Sequence, residues 1–156
     1  LYLGDKWSRK NMTVYRDGDI QSGYNTDPCQ KSIIIRDVLC HTSGMTYGFD
    51  FSGMRNKVDQ IYAKMLPRNN QQGDLTLSEF IDKLAELPLM FQPGSAWNYG
   101  YNTEVVGRLV EVISGKTLDA FLQERIFDPL RMRDTGFAVP QEKQHRFARN
   151  YMRVGA

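Results

Sequence analysis

The sequence predicts an α+β chain, with one β-hairpin followed by a mostly helical body. Three observations carry this expectation. Met12-Thr-Val-Tyr-Arg16 and Ile20-Gln-Ser-Gly-Tyr24 are β-prone runs on either side of Asp17-Gly18, a dipeptide suited to a primed hairpin turn. Thr76-Leu-Ser-Glu79 is a capping box, which marks a helix start. From there, apolar residues recur at helical spacing through three successive segments. At 156 residues, with 41% hydrophobic and 24% charged residues, the chain is long enough for one domain with one core.

Taken in order, residues 25–32 read as a loop after the hairpin. A short helix follows from about Ile35 to His41, with Gly44 available to end it in the left-handed conformation. Residues 46–53 read as an ordered loop. Met54 to Leu66 reads as helix, stopped by Pro67, and Asn69 to Asp74 as a polar linker. In the capping-box helix, Leu77, Phe80, Ile81, Leu84 and Leu87 share one face, and Pro88 ends it. Another helix is expected from Thr103 to Ser114, with Val106, Leu109, Val110 and Ile113 inward and Gly115 as its C-terminal cap. Thr117 can cap a further helix carrying Leu118, Phe121, Leu122 and Ile126. Residues 128–136 form a turn region, Phe137 to Val139 begin a strand, and the tail from Gln141 shows no pattern.

The bulk properties exclude several functions. A net charge of +2 is too small for a nucleic-acid surface. No apolar run approaches the roughly 18 residues of a membrane span. Cys29 and Cys40 are too few for a disulfide framework and are expected as free thiols, with Cys40 buried in a helix. His41 and His145 have no partner at metal-ligand spacing, so no metal is expected. Ser114-Gly-Lys-Thr117 has the look of a phosphate loop, but Val110 stands where that motif needs glycine. The chain begins with Leu, which leaves room for an address before it, and the compartment stays open between cytoplasm and periplasm.

Four segments carry chemistry or mark a lineage. They are Ile33-Ile-Ile-Arg-Asp-Val-Leu-Cys-His-Thr-Ser-Gly-Met45, Pro93-Gly-Ser-Ala-Trp-Asn-Tyr-Gly100, Val112-Ile-Ser-Gly115, and Ile126-Phe-Asp-Pro-Leu-Arg-Met-Arg-Asp-Thr-Gly-Phe137. In this order and with these gaps, the chain resembles the serine β-lactamase-related hydrolases: class C β-lactamases, D-Ala-D-Ala carboxypeptidases and the esterases built like them. The resemblance implies a β-lactamase/transpeptidase-like fold. This chain would be a partial domain across 1–156, mainly the helical subdomain at about 33–137, with a short hairpin.

The resemblance places Tyr99 at the family's catalytic tyrosine; spacing alone reads it as a junction aromatic. A serine nucleophile must lose a proton and the leaving group must gain one. A phenol, with a reference pKa of about 10, can do both if a nearby cationic lysine lowers it. Trp97 reads equally as a wall of the acyl pocket or as packing. Asn102 reads as substrate-binding or, more simply, as a helix N-cap. The resemblance puts His41 in a structural segment.

Departures from the family pattern are as informative. None of the eight serines has Lys three residues on, so the S-x-x-K motif is absent; Ser52, with Arg55, comes nearest. The K-T-G or H-x-G strand is missing too. Two residues after Tyr99 stands Tyr101, where the family's β-lactamases keep an Asn for the antibiotic side chain. That replacement favours an ester, and the Tyr-Gly-Tyr form is most like the bacterial esterase branch. The expectation is a fragment of a carboxylesterase working through an acyl-serine, silent by itself, with no cofactor. Its substrate would be a small acyl ester or a β-lactam-like compound. A β-lactamase or D-Ala-D-Ala carboxypeptidase is the alternative, and a non-catalytic scaffold the second.

Overall fold

A computed structural model describes residues 2–48, 56–66, 75–149 and 151. These fall into two compact units, Leu1–Gly115 and Lys116–Ala156. No helix among the described residues is long and apolar enough to cross a membrane.

The hairpin forms, but with a different turn. Strands β1 (Thr13–Asp19) and β2 (Gly23–Pro28) pair antiparallel, with Thr13 opposite Pro28 and Asp19 opposite Gly23. Asp17 and Gly18 therefore lie inside β1, not at its tip. The turn is Ile20–Ser22, because the Asp19 carboxylate accepts the backbone N–H groups of Gln21 and Ser22 at 2.8 Å each. A register shift between Tyr15 and Asp17 absorbs the extra residue. Part of the expected 25–32 loop is consequently strand. On the other edge of β1, Tyr15 N–H donates to the Leu89 carbonyl at 2.8 Å and Leu89 N–H to the Thr13 carbonyl at 2.9 Å.

Helix α1 (Ile35–Leu39) starts where expected. Ile34 occupies its N-cap and has no side-chain acceptor, so only half of a capping exchange forms. Asp37 Oδ2 takes the Ile34 N–H at 3.1 Å. Cys40 is exposed, contrary to expectation. It follows the last turn of α1, and Val38 takes the buried side instead. Cys29 is buried, which pushes its thiol up, and both cysteines are free.

Helix α2 (Lys57–Met65) is capped by Asn56, whose side chain accepts the Asp59 N–H at 2.8 Å. The expected start at Met54, the stop at Pro67 and the linker 69–74 lie outside the described residues. Helix α3 (Leu77–Leu84) has the full reciprocal box: Thr76 N–H to Glu79 at 2.8 Å, and Glu79 N–H to Thr76 at 3.2 Å. Ile81, Leu84 and Leu87 enter the core, with Leu77 and Phe80 at its margin.

Helix α4 (Asn102–Ser114) packs against α1 and α3 and ends at Gly115, which is left-handed at φ +69°. Its buried face matches the expected one only in part: Leu109 is buried and Val106 packs at the margin of the core, but the face is otherwise shifted. Asn102, Val105 and Leu109 point inward, while Ile113 is 62% exposed. Hydrogen bonds draw Asn102 into the core, and the residues one and two turns on follow it.

In the second unit, α5 (Leu118–Leu122) runs into a π-turn at Gln123–Phe127. Leu118, Phe121 and Leu122 are half-buried. The expected strand at Phe137–Val139 does not form, since no strand among the described residues of this unit pairs with it. The patternless tail contains a 3₁₀ turn, Gln141–Arg146, held by Lys143 and Arg146 on Asp134 at 2.9 and 2.6 Å.

Two stability predictions follow from this packing. Gly44 has φ +94°, and a Cβ there would lie 2.5 Å from the Phe91 carbonyl oxygen. Gly44→Ala should cost at least about 2 kcal/mol, seen as a lower urea midpoint. Ile34→Thr supplies the missing acceptor at a half-exposed position and should stabilise by about 1 kcal/mol. A thermal midpoint that fails to rise would show that the Ile34 side chain contributes more by packing.

Candidate functional site

The two segments singled out by sequence are tied together along their backbones. Asn98 N–H donates to the His41 carbonyl at 2.9 Å, Gly94 N–H to Thr42 at 2.8 Å, and Met90 N–H to Gly44 at 2.7 Å. The Asn98 side chain adds a bond to the Met45 carbonyl at 3.0 Å. Thr42 is held in turn, because its N–H donates to the Asp37 carbonyl at 2.8 Å. Gly100 has no room for a side chain, since a Cβ would run into the Met45 carbonyl. This contact explains why Tyr99 sits against the residues of the other segment.

Tyr99 is 48% exposed, so its ring is lodged while part of it faces solvent. Its ring centroid is 4.8 Å from that of His41 and 5.2 Å from that of Tyr47. Trp97 is 66% exposed, with its ring 6.4 Å from His41. Tyr101 points the other way, into the margin of the core. Its ring meets Tyr47 at 4.5 Å and Phe80 at 5.1 Å, both edge-on, and burial pushes its phenol up.

Asn102 is not a helix cap. It is the first residue inside α4, 1% exposed, and Tyr101 holds the cap position. Its Oδ1 accepts the Ser43 hydroxyl at 2.6 Å, and its Nδ2 lies 3.1 Å from His41 Nδ1. The structure therefore gathers Trp97 and Tyr99 on one open side, and turns Tyr101 and Asn102 inward.

Three further residues complete the cluster: His41, Tyr47 and Glu104. The Tyr47 hydroxyl lies 3.3 Å from both Glu104 carboxylate oxygens. Burial, then the Glu104 charge and the Tyr99 hydroxyl, push the Tyr47 phenol up. Burial also raises the Glu104 carboxyl, against the opposing help of backbone and Tyr47 hydrogen bonds. The signal for His41 was present in its segment, whereas nothing local marks Tyr47 or Glu104. They are 57 positions apart and meet only through the fold.

The profile described as Beta-lactamase matches residues 23–156. The chain belongs to the β-lactamase family. Among its relatives is lovastatin esterase of Penicillium rubens, 34% identical over 71% of this chain and 26% of that protein. Another is esterase EstB of Burkholderia gladioli, 33% identical over 80% of this chain and 30% of that protein. A solved structure described as EstCE1, a hydrolase with promiscuous acyltransferase activity, superposes with a TM-score of 0.61. It is 26% identical over 75% of this chain and 30% of that one. The chain thus spans less than a third of the relatives it matches, and within that span it has the β-lactamase/transpeptidase-like fold.

The raised Glu104 carboxyl gives a pH test. A carboxyl raised on folding favours the folded state below the unfolded value, and that contribution is lost as pH rises through the folded value. Glu104→Gln keeps an acceptor for Tyr47 and removes the buried charge. The variant should unfold at higher denaturant than the parent near neutral pH. Its advantage should vanish as pH falls below the ordinary glutamate range. An equal advantage at all pH values would contradict the electrostatic origin.

Proposed function

We propose that this chain is part of a serine hydrolase, a carboxylesterase, in which Tyr99 is the proton-transfer group. The observation that carries the reading is the placement of Tyr99. Its ring is lodged between His41 and Tyr47 where the two family segments are tied, and its edge remains open. A catalytic phenol needs this combination of a fixed ring and access to the reacting atoms.

The nucleophilic serine and its lysine would come from an S-x-x-K segment outside these 156 residues. In the first step the serine oxygen attacks the ester carbonyl carbon while its proton passes to Tyr99, held as a phenolate by the lysine of that S-x-x-K segment. The tetrahedral intermediate then expels the alcohol, which takes that proton from Tyr99, leaving an acyl-serine. A water molecule repeats the sequence and frees the acid. If an alcohol replaces water in the second half, the same machinery transfers the acyl group; the EstCE1 description supports keeping that outcome within the reading. Esterase is favoured over β-lactamase because the resemblance puts Tyr101 in place of the lactamases' Asn, and with its ring turned against Tyr47 and Phe80 it offers no amide to the substrate.

Tyr99→Phe in the longer protein that contains the nucleophile should lower kcat on a chromogenic short-chain ester by roughly two to four orders of magnitude. The ring stays, so the thermal midpoint and KM should change little. The 156-residue chain by itself serves as the blank. Nearly full activity in the variant would falsify the assignment.

A further inference from the structure

We propose that His41 is a positioning residue for Tyr99, held in a single tautomer by a buried relay through Asn102 and Ser43. The proposal rests on the reading of Tyr99 given above. It concerns residues that do not touch the reacting atoms.

The relay has a direction, set by the placement of the Asn102 amide between Ser43 and His41. Met45 N–H points at Ser43 Oγ at 3.3 Å, so this oxygen is used as an acceptor there. Its own proton goes to Asn102 Oδ1 at 2.6 Å. The Asn102 amide is thereby oriented with Nδ2 toward His41 Nδ1, at 3.1 Å. An amide nitrogen can only donate. His41 Nδ1 must then accept, and the ring proton sits on Nε2. Ser43 is fully buried and Asn102 is 1% exposed, so water does not compete for these groups.

His41 itself is in an unusual backbone state, with φ +56°, one of two non-glycine residues among those described with positive φ. That conformation is held by its carbonyl accepting Asn98 N–H at 2.9 Å, one residue before Tyr99. The imidazole lies against the Tyr99 ring at 4.8 Å with the planes 31° apart. The backbone bond thus sets where Tyr99 begins, and the ring contact limits how its phenol can tilt. A histidine free to rotate about its own side-chain bonds would lose that restraint, and the relay prevents this.

The relay offers a substitution that changes polarity without changing size. Asn102→Asp has only acceptors at this position, so His41 Nδ1 would have to donate instead. Ser43→Ala removes the group that orients the amide and costs one buried hydroxyl. Neither residue contacts substrate in the reading above.

The tautomer is read directly from long-range ¹H–¹⁵N spectra of the histidine side chains in the longer protein, with the His41 signals identified by their loss in His41→Gln. Measured above the ordinary histidine titration range, His41 should show a protonated Nε2 and a bare Nδ1, and Asn102→Asp should reverse the two. In the same protein, Asn102→Asp and Ser43→Ala should each lower kcat on the chromogenic ester roughly tenfold or more with KM nearly unchanged. Asn102→Gln, which restores the amide donor, should recover part of that loss. A protonated Nδ1 in the unmodified protein overturns the proposal. So does an unchanged kcat in a well-folded Asn102→Asp variant while Tyr99→Phe is inactive, and in that case the reading of Tyr99 stands. If Tyr99→Phe keeps its activity, the reading of Tyr99 fails, and the catalytic consequence claimed for His41 is overturned with it.

Discussion

The backbone ties between residues 41–45 and 90–98 are the constraint on which the site depends. Three main-chain hydrogen bonds and one from the Asn98 side chain join stretches about 50 residues apart. Leu89 extends the same stretch onto the free edge of β1, so one short segment serves both the hairpin and the site. Buried backbone groups must find partners. These segments are neither helix nor strand over most of their length, so their partners are each other. The glycines at 44 and 100 follow from that closeness, because a side chain at either would meet a carbonyl of the opposite segment.

Polar groups are buried at the points where elements meet. The Thr46 hydroxyl donates to the buried Asp59 carboxylate of α2, and Asp37 binds both the Ile34 N–H and the Thr42 hydroxyl. Ser43 and Asn102 join the first segment to α4. Each such group would cost free energy if left unpaired, so each pair fixes one relative placement of its elements. Apolar contacts between α3 and α4 tolerate small rotations. The polar pairs do not, and the buried Asn102 holds the first turn of α4 inward through Ser43 and His41.

Local signals were legible wherever the physics is local. The capping box at Thr76 and Glu79, the start of α1 after Ile34, and the Gly115 cap each depend on a few neighbouring residues, and each was present as written. The hairpin was legible as a hairpin, but its turn was misplaced. Asp-Gly competes with any nearby carboxylate that can cap a turn of its own, and Asp19 won. The strand at Phe137–Val139 failed for the complementary reason, since β-propensity without a partner strand satisfies no backbone groups. Cys40 is exposed because one residue past a helix end the side chain no longer follows the helical face.

The order of four motifs determined the family by sequence alone, and with it the expectation that Tyr99 matters. The motifs also held His41 and Ser43, and Asn102 stands two residues past one of them, but as letters without a relation to one another. Only the tertiary structure brought His41 against Tyr99, joined it to Asn102, and set Tyr47 on Glu104. The reason is one of range. Caps and turns are decided by groups within about four residues. A hydrogen bond across 59 or 61 positions exists only after the core has closed and brought its partners together.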